Sequence, residues 1–277
     1  MFRPVSRARE RWRPHLAVVT GAGGGIGATL AMQLAESGCA LALVDNNAAA
    51  LSATAARCES RGAVVVQWEV DVADNRAVTR MRREVIDDLG APDALFNLAG
   101  VIHAGRLVDS DLDDVRRVVQ VDLLGTIACC HAFLPALSST PAARIVNVSS
   151  AFGLVGVGGY SAYNAAKFAV RGFTEALQQE APPHVKVSCA YPGGVRTDIM
   201  RNGLYASTAD RAGIQERFDD LIARTSPEAT ARAILRGSAR GRRRIIVGAD
   251  ARTADALARL TGAHYQVLTR RLGTGPA

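Results

Sequence analysis

The chain has 277 residues, 48% hydrophobic and 21% charged, with a formal net charge of +7. That balance lies in the range of ordinary soluble globular proteins, and the length allows a large core without disulfide staples. The five cysteines (Cys39, Cys58, Cys129, Cys130 and Cys189) form no C-x-x-C pair, and the five histidines show no H-x-x-x-H spacing, so no metal site or redox pair is expected.

The chain opens on a basic arm, residues 1–14, with Arg3, Arg7, Arg9, Arg11 and Arg13 against one acid, Glu10. It reads as a short solvated segment, an organelle presequence being the other reading. It lacks the apolar core of a secretory signal, and no apolar run approaches the ~18 residues that span a bilayer. Free thiols fit a reducing, cytoplasmic setting.

Residues 16–19 form a β-branched run, the first expected strand. A helix follows over 26–37, with Ile26, Leu30 and Leu34 recurring every fourth residue and Gly38 as its stop. Further strands are expected at 40–44, 63–70, 94–98, 145–148, 185–190 and 244–247, and further helices at 48–61 and 75–89. Strand–helix alternation at this pitch predicts an α/β fold: a doubly wound parallel (Rossmann) sheet, as one domain over 15–277. The strand runs are apolar throughout, as strands covered on both faces are. In such sheets ligands bind beyond the carboxyl ends of the strands.

The first strand runs into Thr20-Gly21-Ala22-Gly23-Gly24-Gly25-Ile26-Gly27, and a helix follows. Glycines let the backbone approach a pyrophosphate, and the free N–H groups of the helix point at it. A merely flexible turn is the competing reading, since the glycine spacing alone is weak. Asp45 ends the second strand, 18 residues after Gly27. A carboxylate there accepts hydrogen bonds from ribose hydroxyls and repels a 2′-phosphate. With no Arg or Lys in the glycine loop to compensate, NAD(H) is expected in preference to NADP(H). Otherwise Asp45 is a turn or cap residue before Asn46-Asn47.

Later comes Ser161-Ala162-Tyr163-Asn164-Ala165-Ala166-Lys167, in a segment of helical period. Tyr163 and Lys167 are one turn apart, so they share a face. A free phenol titrates near ~10. A neighbouring ammonium favours the phenolate, and lowering the pKa by about 2 units needs about 2.7 kcal/mol. Tyr163 then serves as acid/base. Ser150, at a strand end 13 residues earlier, is placed to hydrogen-bond the reacting oxygen. Alone, a Y-x-x-x-K pair is equally read as a surface tyrosine beside an unrelated lysine.

Together these features resemble the short-chain dehydrogenase/reductase family over about residues 16–247. The resemblance rests on Thr20-Gly21-x-x-x-Gly25-Ile26-Gly27, Asp71-Val72, Asn97-Leu98-Ala99-Gly100, Ser150, Tyr163-x-x-x-Lys167 and Pro192-Gly193-x-Val195-x-Thr197. It implies hydride transfer between a nicotinamide cofactor and an alcohol or ketone. It also implies Gly21, Gly25, Ile26 and Gly27 at the pyrophosphate, Asp71 and Val72 at the adenine, and Asn97, Ala99 and Gly100 along the nucleotide. Lys167 would bind the nicotinamide ribose, and Pro192, Gly193, Val195 and Thr197 would flank the nicotinamide. It implies a homo-oligomer, dimer or tetramer, built through helices at 113–137 and 161–180. Two positions depart from the family pattern. Leu98 replaces a usual Asn, and Asp122 stands where an Asn usually completes a proton relay. An ionised Asp accepts but cannot donate, so a shifted pH optimum is expected.

Residues 198–226 are expected to cover a hydrophobic substrate, through Ile199, Met200, Leu204, Tyr205, Ile214, Phe218 and Leu221; plain helix packing reads the same way. Ser226-Pro227-Glu228 marks a helix start, and 250–272 a helical tail. A catalytically weak, nucleotide-binding regulatory protein is the alternative on this fold. The arginines at 240 and 242–244 read as a solvated edge. No aromatics interleave with them, so a nucleic-acid partner is not expected.

Overall fold

All five residues of β1 (Leu16–Thr20) are buried, because helices cover both faces of the strand. The structure, a computed structural model, describes residues 12–270. The arm expected over 1–14 and the last residues of the tail therefore lie largely outside the described residues. Trp12, within that arm, packs beside the core: its Nε1 donates to Ala142 O at 2.9 Å, and the Arg144 guanidinium lies 4.7 Å over its ring.

After β1 come α1 (Gly25–Ala35), β2 (Ala40–Asp45), α2 (Ala48–Glu59), β3 (Val65–Glu69), α3 (Asn75–Leu89) and β4 (Ala94–Asn97). Local chemistry sets their limits. Gly38 takes φ +80°, and its N–H closes on Ala35 O, which ends the α1 turn. The side chain of Asn47 accepts from Ala50 N to start α2, and that of Asp74 from Arg76 N and Ala77 N to start α3. The second half of the chain holds β5 (His103–Ala104), α4 (Leu112–Val118), α5 (Thr126–Ser139), β6 (Ala143–Val148), α6 (Ser161–Glu180) and β7 (Val185–Pro192). It closes with β8 (Leu204–Tyr205), α7 (Arg211–Arg217), α8 (Pro227–Ala239), β9 (Arg244–Val247), α9 (Ala249–Thr261) and α10 (Tyr265–Thr269).

The main sheet is parallel, in the order β3-β2-β1-β4-β6-β7-β9. One face packs Leu41, Leu43 and Phe96 against Leu30 and Leu34 of α1 and Ile234 of α8. The other packs Leu95 and Ile145 against Phe133 and Leu137 of α5, Val78 of α3 and Leu177 of α6. Each such side chain contributes about 1.5–3 kcal/mol by leaving water. The strand order reverses between β1 and β4, which opens the crevice where the glycine loop and residues 97–100 meet.

Three features differ from the sequence expectations. The helix expected at 113–137 does run continuously, but residues Val119–Gly125 form a π-helical stretch that turns Asp122 inward. That whole run, Leu112–Ser139, is long and apolar enough by length and composition to cross a membrane, unlike the reading from the sequence alone. Here it is the core helix of one layer, burying Val118, Val121, Phe133 and Leu137. Second, a small parallel sheet pairs β5 with β8, tying residues 103–104 to the segment after Thr197. Third, the tail helix breaks at Gly262, φ +55°.

Candidate active site

The glycine loop closes against β4 because it has no side chains to keep it away. A Cβ on Gly21 would sit 2.7 Å from Ala99 N, and one on Gly27 would overlap the carbonyl of Gly21. Thr20 fixes the same junction: its Oγ1 accepts from Leu98 N at 3.1 Å and from Ala99 N at 3.2 Å. Helix α1 starts at Gly25 with no side-chain cap, so its first N–H groups are available to an anion. Gly25 also lies against Thr197, whose Cγ2 would be 3.1 Å from an added Cβ. The loop, Thr197 and the α1 N-terminus border a cavity of about 310 Å³ that Arg57 and Arg196 also line. Ile26 packs half-buried behind the loop. This backbone cradle fits a dinucleotide pyrophosphate.

Asp45 stands at the end of β2, its Oδ2 accepting from Gly23 N at 2.8 Å and its Oδ1 from Asn47 N at 2.9 Å. Its charge is thereby fixed beside the loop. Asp71 follows β3 and accepts from Arg117 Nη1 at 2.7 Å and from Ala73 N at 3.0 Å. Burial works to raise the Asp71 pKa, but the Arg117 guanidinium and these hydrogen bonds leave it below its ordinary value. Val72 packs on Gly125 of the π-helical stretch, where a Cβ would lie 2.6 Å from Val72 Cγ2. Asn97 is buried and donates to Asn147 Oδ1 at 2.8 Å, bridging β4 and β6.

Four side chains converge beyond β4 and β6. Tyr163 and Lys167 project from one face of α6, with Lys167 Nζ 5.4 Å from the Tyr163 ring centroid. Lys167 Nζ donates to Val148 O at 3.2 Å and lies 3.0 Å from Asp122 Oδ2. Asp122 Oδ1 accepts from Val101 N at 2.7 Å. Gly100 sits over this pair; a Cβ there would come 3.3 Å from Lys167 Nζ. Ser150 lies two residues past β6 and caps a short 3-10 turn, its Oγ accepting from Phe152 N at 3.2 Å. The Phe152 ring meets Tyr163 edge-on at 5.8 Å.

Tyr163 is 6% exposed, which changes the electrostatic expectation. Burial pushes the phenol above its ordinary value. Lys167 and the Ser150 hydroxyl pull it down, while the Asp122 charge pushes it up. The net direction is upward, opposite to that expected from the lysine alone, because desolvation disfavours a buried phenolate more than one ammonium favours it. Burial also works to lower Lys167, but Asp122 and the phenol outweigh it and hold the ammonium charged.

Pro192 closes β7, and Gly193 and Gly194 follow it around the Asp250 carboxylate. Gly194 N donates to Asp250 Oδ2 at 2.6 Å. Val195 is buried and bridges to Thr225. The sequence reading passed over Asp250, Arg117 and Asn147. Each acts through a partner distant in the chain, and no local spacing marks it. Thr20 was legible within the glycine motif.

Residues 15–205 match the short chain dehydrogenase family. SadH of Mycobacterium tuberculosis is 43% identical over 256 residues, spanning 91% of this chain and 93% of its own. Meso-2,3-butanediol dehydrogenase of Serratia marcescens is 35% identical over 214 residues, 77% of this chain and 81% of that enzyme. The structure of a short chain dehydrogenase/reductase from Burkholderia phymatum in complex with NAD aligns with a TM-score of 0.84 at 26% identity, covering 97% of this chain and 99% of that one. The chain belongs to the short-chain dehydrogenase/reductase family. It is an oxidoreductase that acts on CH–OH donors with NAD or NADP as acceptor.

Proposed function

We propose that the protein interconverts a hydrophobic secondary alcohol and its ketone, prefers NAD(H), and uses Tyr163 as the acid/base. The observation that carries this reading is the convergence of Tyr163, Lys167 and Ser150 beside a glycine cradle at the reversal point of the sheet.

When bound, the nicotinamide accepts or supplies the hydride. Gly21, Gly25, Ile26 and Gly27 hold the pyrophosphate, and Asp45 takes the ribose hydroxyls and excludes a 2′-phosphate. Asp71 and Val72 hold the adenine, with Asn97, Ala99 and Gly100 along the nucleotide. Pro192, Gly193, Val195 and Thr197 flank the nicotinamide end. Tyr163 takes the alcohol proton during oxidation and returns it during reduction. Ser150 donates to the reacting oxygen, which stabilises the charge that develops there. Lys167 holds the nicotinamide ribose and biases Tyr163 toward phenolate. Asp122 keeps Lys167 protonated.

An apolar substrate follows from the cluster around Tyr163, which includes Ile102, Val155, Val157, Met200 and Ile214. The segment 198–226 covers it, tied down through β8. The exposed Leu112, Leu124 and Phe168 on α4, the π-helical stretch and α6 support assembly into a homo-oligomer through these helices. Five buried free thiols support a cytoplasmic setting.

A spectrophotometric screen of secondary alcohols and ketones with both nicotinamide cofactors tests the proposal. It expects turnover with an apolar member and a higher kcat/KM for NADH than for NADPH. No turnover of any member, despite tight NADH binding, would contradict it.

A further inference from the structure

We infer that Tyr265, in the C-terminal tail, is a positioning residue that fixes the substrate-facing loop and so sets which alcohols fit. The inference rests on the functional reading above and deepens it.

The loop at 151–160 joins Ser150 to the Tyr163 helix. Its midpoint, Gly156, has both backbone groups taken by α10. Gly156 N donates to Tyr265 Oη at 3.0 Å, and Thr269 Oγ1 donates to Gly156 O at 3.2 Å. The flanking residues Val155 and Val157 are buried in the same apolar cluster as Tyr163. Asn164, on the Tyr163 helix, clamps the loop from the other side: its Nδ2 donates to Val157 O at 2.9 Å. The loop is thus held between the helix that carries the acid/base and the tail.

The tail is itself anchored. Asp255 of α9 accepts from Arg244 Nη2 at 2.6 Å, binding α9 to β9. Ala254, Ala258 and Tyr265 pack against the Tyr163 cluster. Gly262, with φ +55°, makes the bend that brings Tyr265 back over the loop. A strap of this chain therefore forms the outer support of the wall that faces the reacting alcohol. A short alcohol would occupy only the space next to Tyr163 and Ser150. A long apolar one would extend along Val155 and Val157, where the loop's position decides the fit.

The test compares the full-length protein with Tyr265→Phe, which keeps the ring and removes only the accepting oxygen. It uses NAD and secondary alcohols of increasing apolar chain length. The KM for the longest alcohol should rise roughly fivefold, the worth of one neutral hydrogen bond. The kcat and KM for the shortest alcohol and the Kd for NADH should hold. Hydrogen exchange over residues 153–159 should quicken. Thr269→Val should act in the same direction. A uniform change across the alcohol series, or none, would overturn the inference, as would unchanged exchange at 153–159. If the unaltered protein turns over no alcohol or ketone, the functional reading fails; the exchange measurement still decides whether Tyr265 holds the loop.

Discussion

The Asp122 carboxylate lies 3.0 Å from the Lys167 ammonium, with side chains 0% and 5% exposed. A charge buried this deeply persists only if paired, and each partner is the other's counter-charge. Asp122 has a second anchor in Val101 N, and Lys167 in Val148 O. Asp122→Ala strands the ammonium and should destabilise the fold by about 3–5 kcal/mol, read in denaturant unfolding.

Asp122→Asn keeps the shape and removes the charge. With Tyr163 as the proposed base, alcohol oxidation needs the phenol ionised, and its raised pKa puts the rising limb of that rate on the alkaline side. The Asp122 charge adds to that rise, so its removal should move the limb to lower pH. Ketone reduction, which needs the protonated phenol, should then fall off at lower pH as well. Profiles of kcat/KM in both directions check this, and an unmoved profile contradicts the assigned role.

Asp45 presents a carboxylate already held by Gly23 N and Asn47 N, so its charge cannot swing away from a 2′-phosphate. Asp45→Ala should lower the preference for NADH over NADPH by roughly tenfold or more, since one like-charge contact of about 1.4 kcal/mol is a factor of ten. Parallel kcat/KM measurements with the two cofactors read this directly. Gly23 and Asn47 lose a partner too, so some NADH affinity should go with it.

His103 is 2% exposed, and its Nε2 has no hydrogen-bond partner among the described residues. Burial lowers its pKa, with Asp114 working weakly the other way. The unfolded imidazole titrates near ~6.5, so below that pH the unfolded chain binds a proton that the folded chain resists. The stability that His103 confers is complete above about pH 6.5 and lost as pH falls through the lower folded value. His103→Leu should flatten the fall in Tm between neutral and mildly acidic pH. An equally steep fall in the variant would contradict this.

All five thiols are buried. Burial pushes Cys39 and Cys130 up to about 12 and Cys189 to about 11, and it raises Cys58 and Cys129 as well. The thiolate is the reactive form, so the native protein should resist a thiol reagent at mildly alkaline pH and react fully once denatured.

Much of the sheet was legible because doubly covered strands such as Leu16–Thr20 are short apolar runs, and the helices between them carry a 3.6-residue period. Short-range chemistry was legible too: the Gly38 stop, the Ser226-Pro227 start and the four-residue spacing of Tyr163 and Lys167. What the sequence hid was set by tertiary context. The π-helical turn at Asp122 has no local signature. The β5–β8 pairing joins residues about a hundred positions apart. The direction of the Tyr163 pKa depends on how much water the fold excludes, which a four-residue spacing does not encode.

The central claim is that the Tyr163 hydroxyl moves the proton that accompanies hydride transfer. Tyr163→Phe removes that oxygen and leaves the ring beside Phe152. Single-turnover oxidation of the best alcohol should slow by about 10²–10⁴-fold, while the Kd for NADH stays within about twofold. A variant that binds NADH normally and still transfers hydride at the original rate would contradict the account.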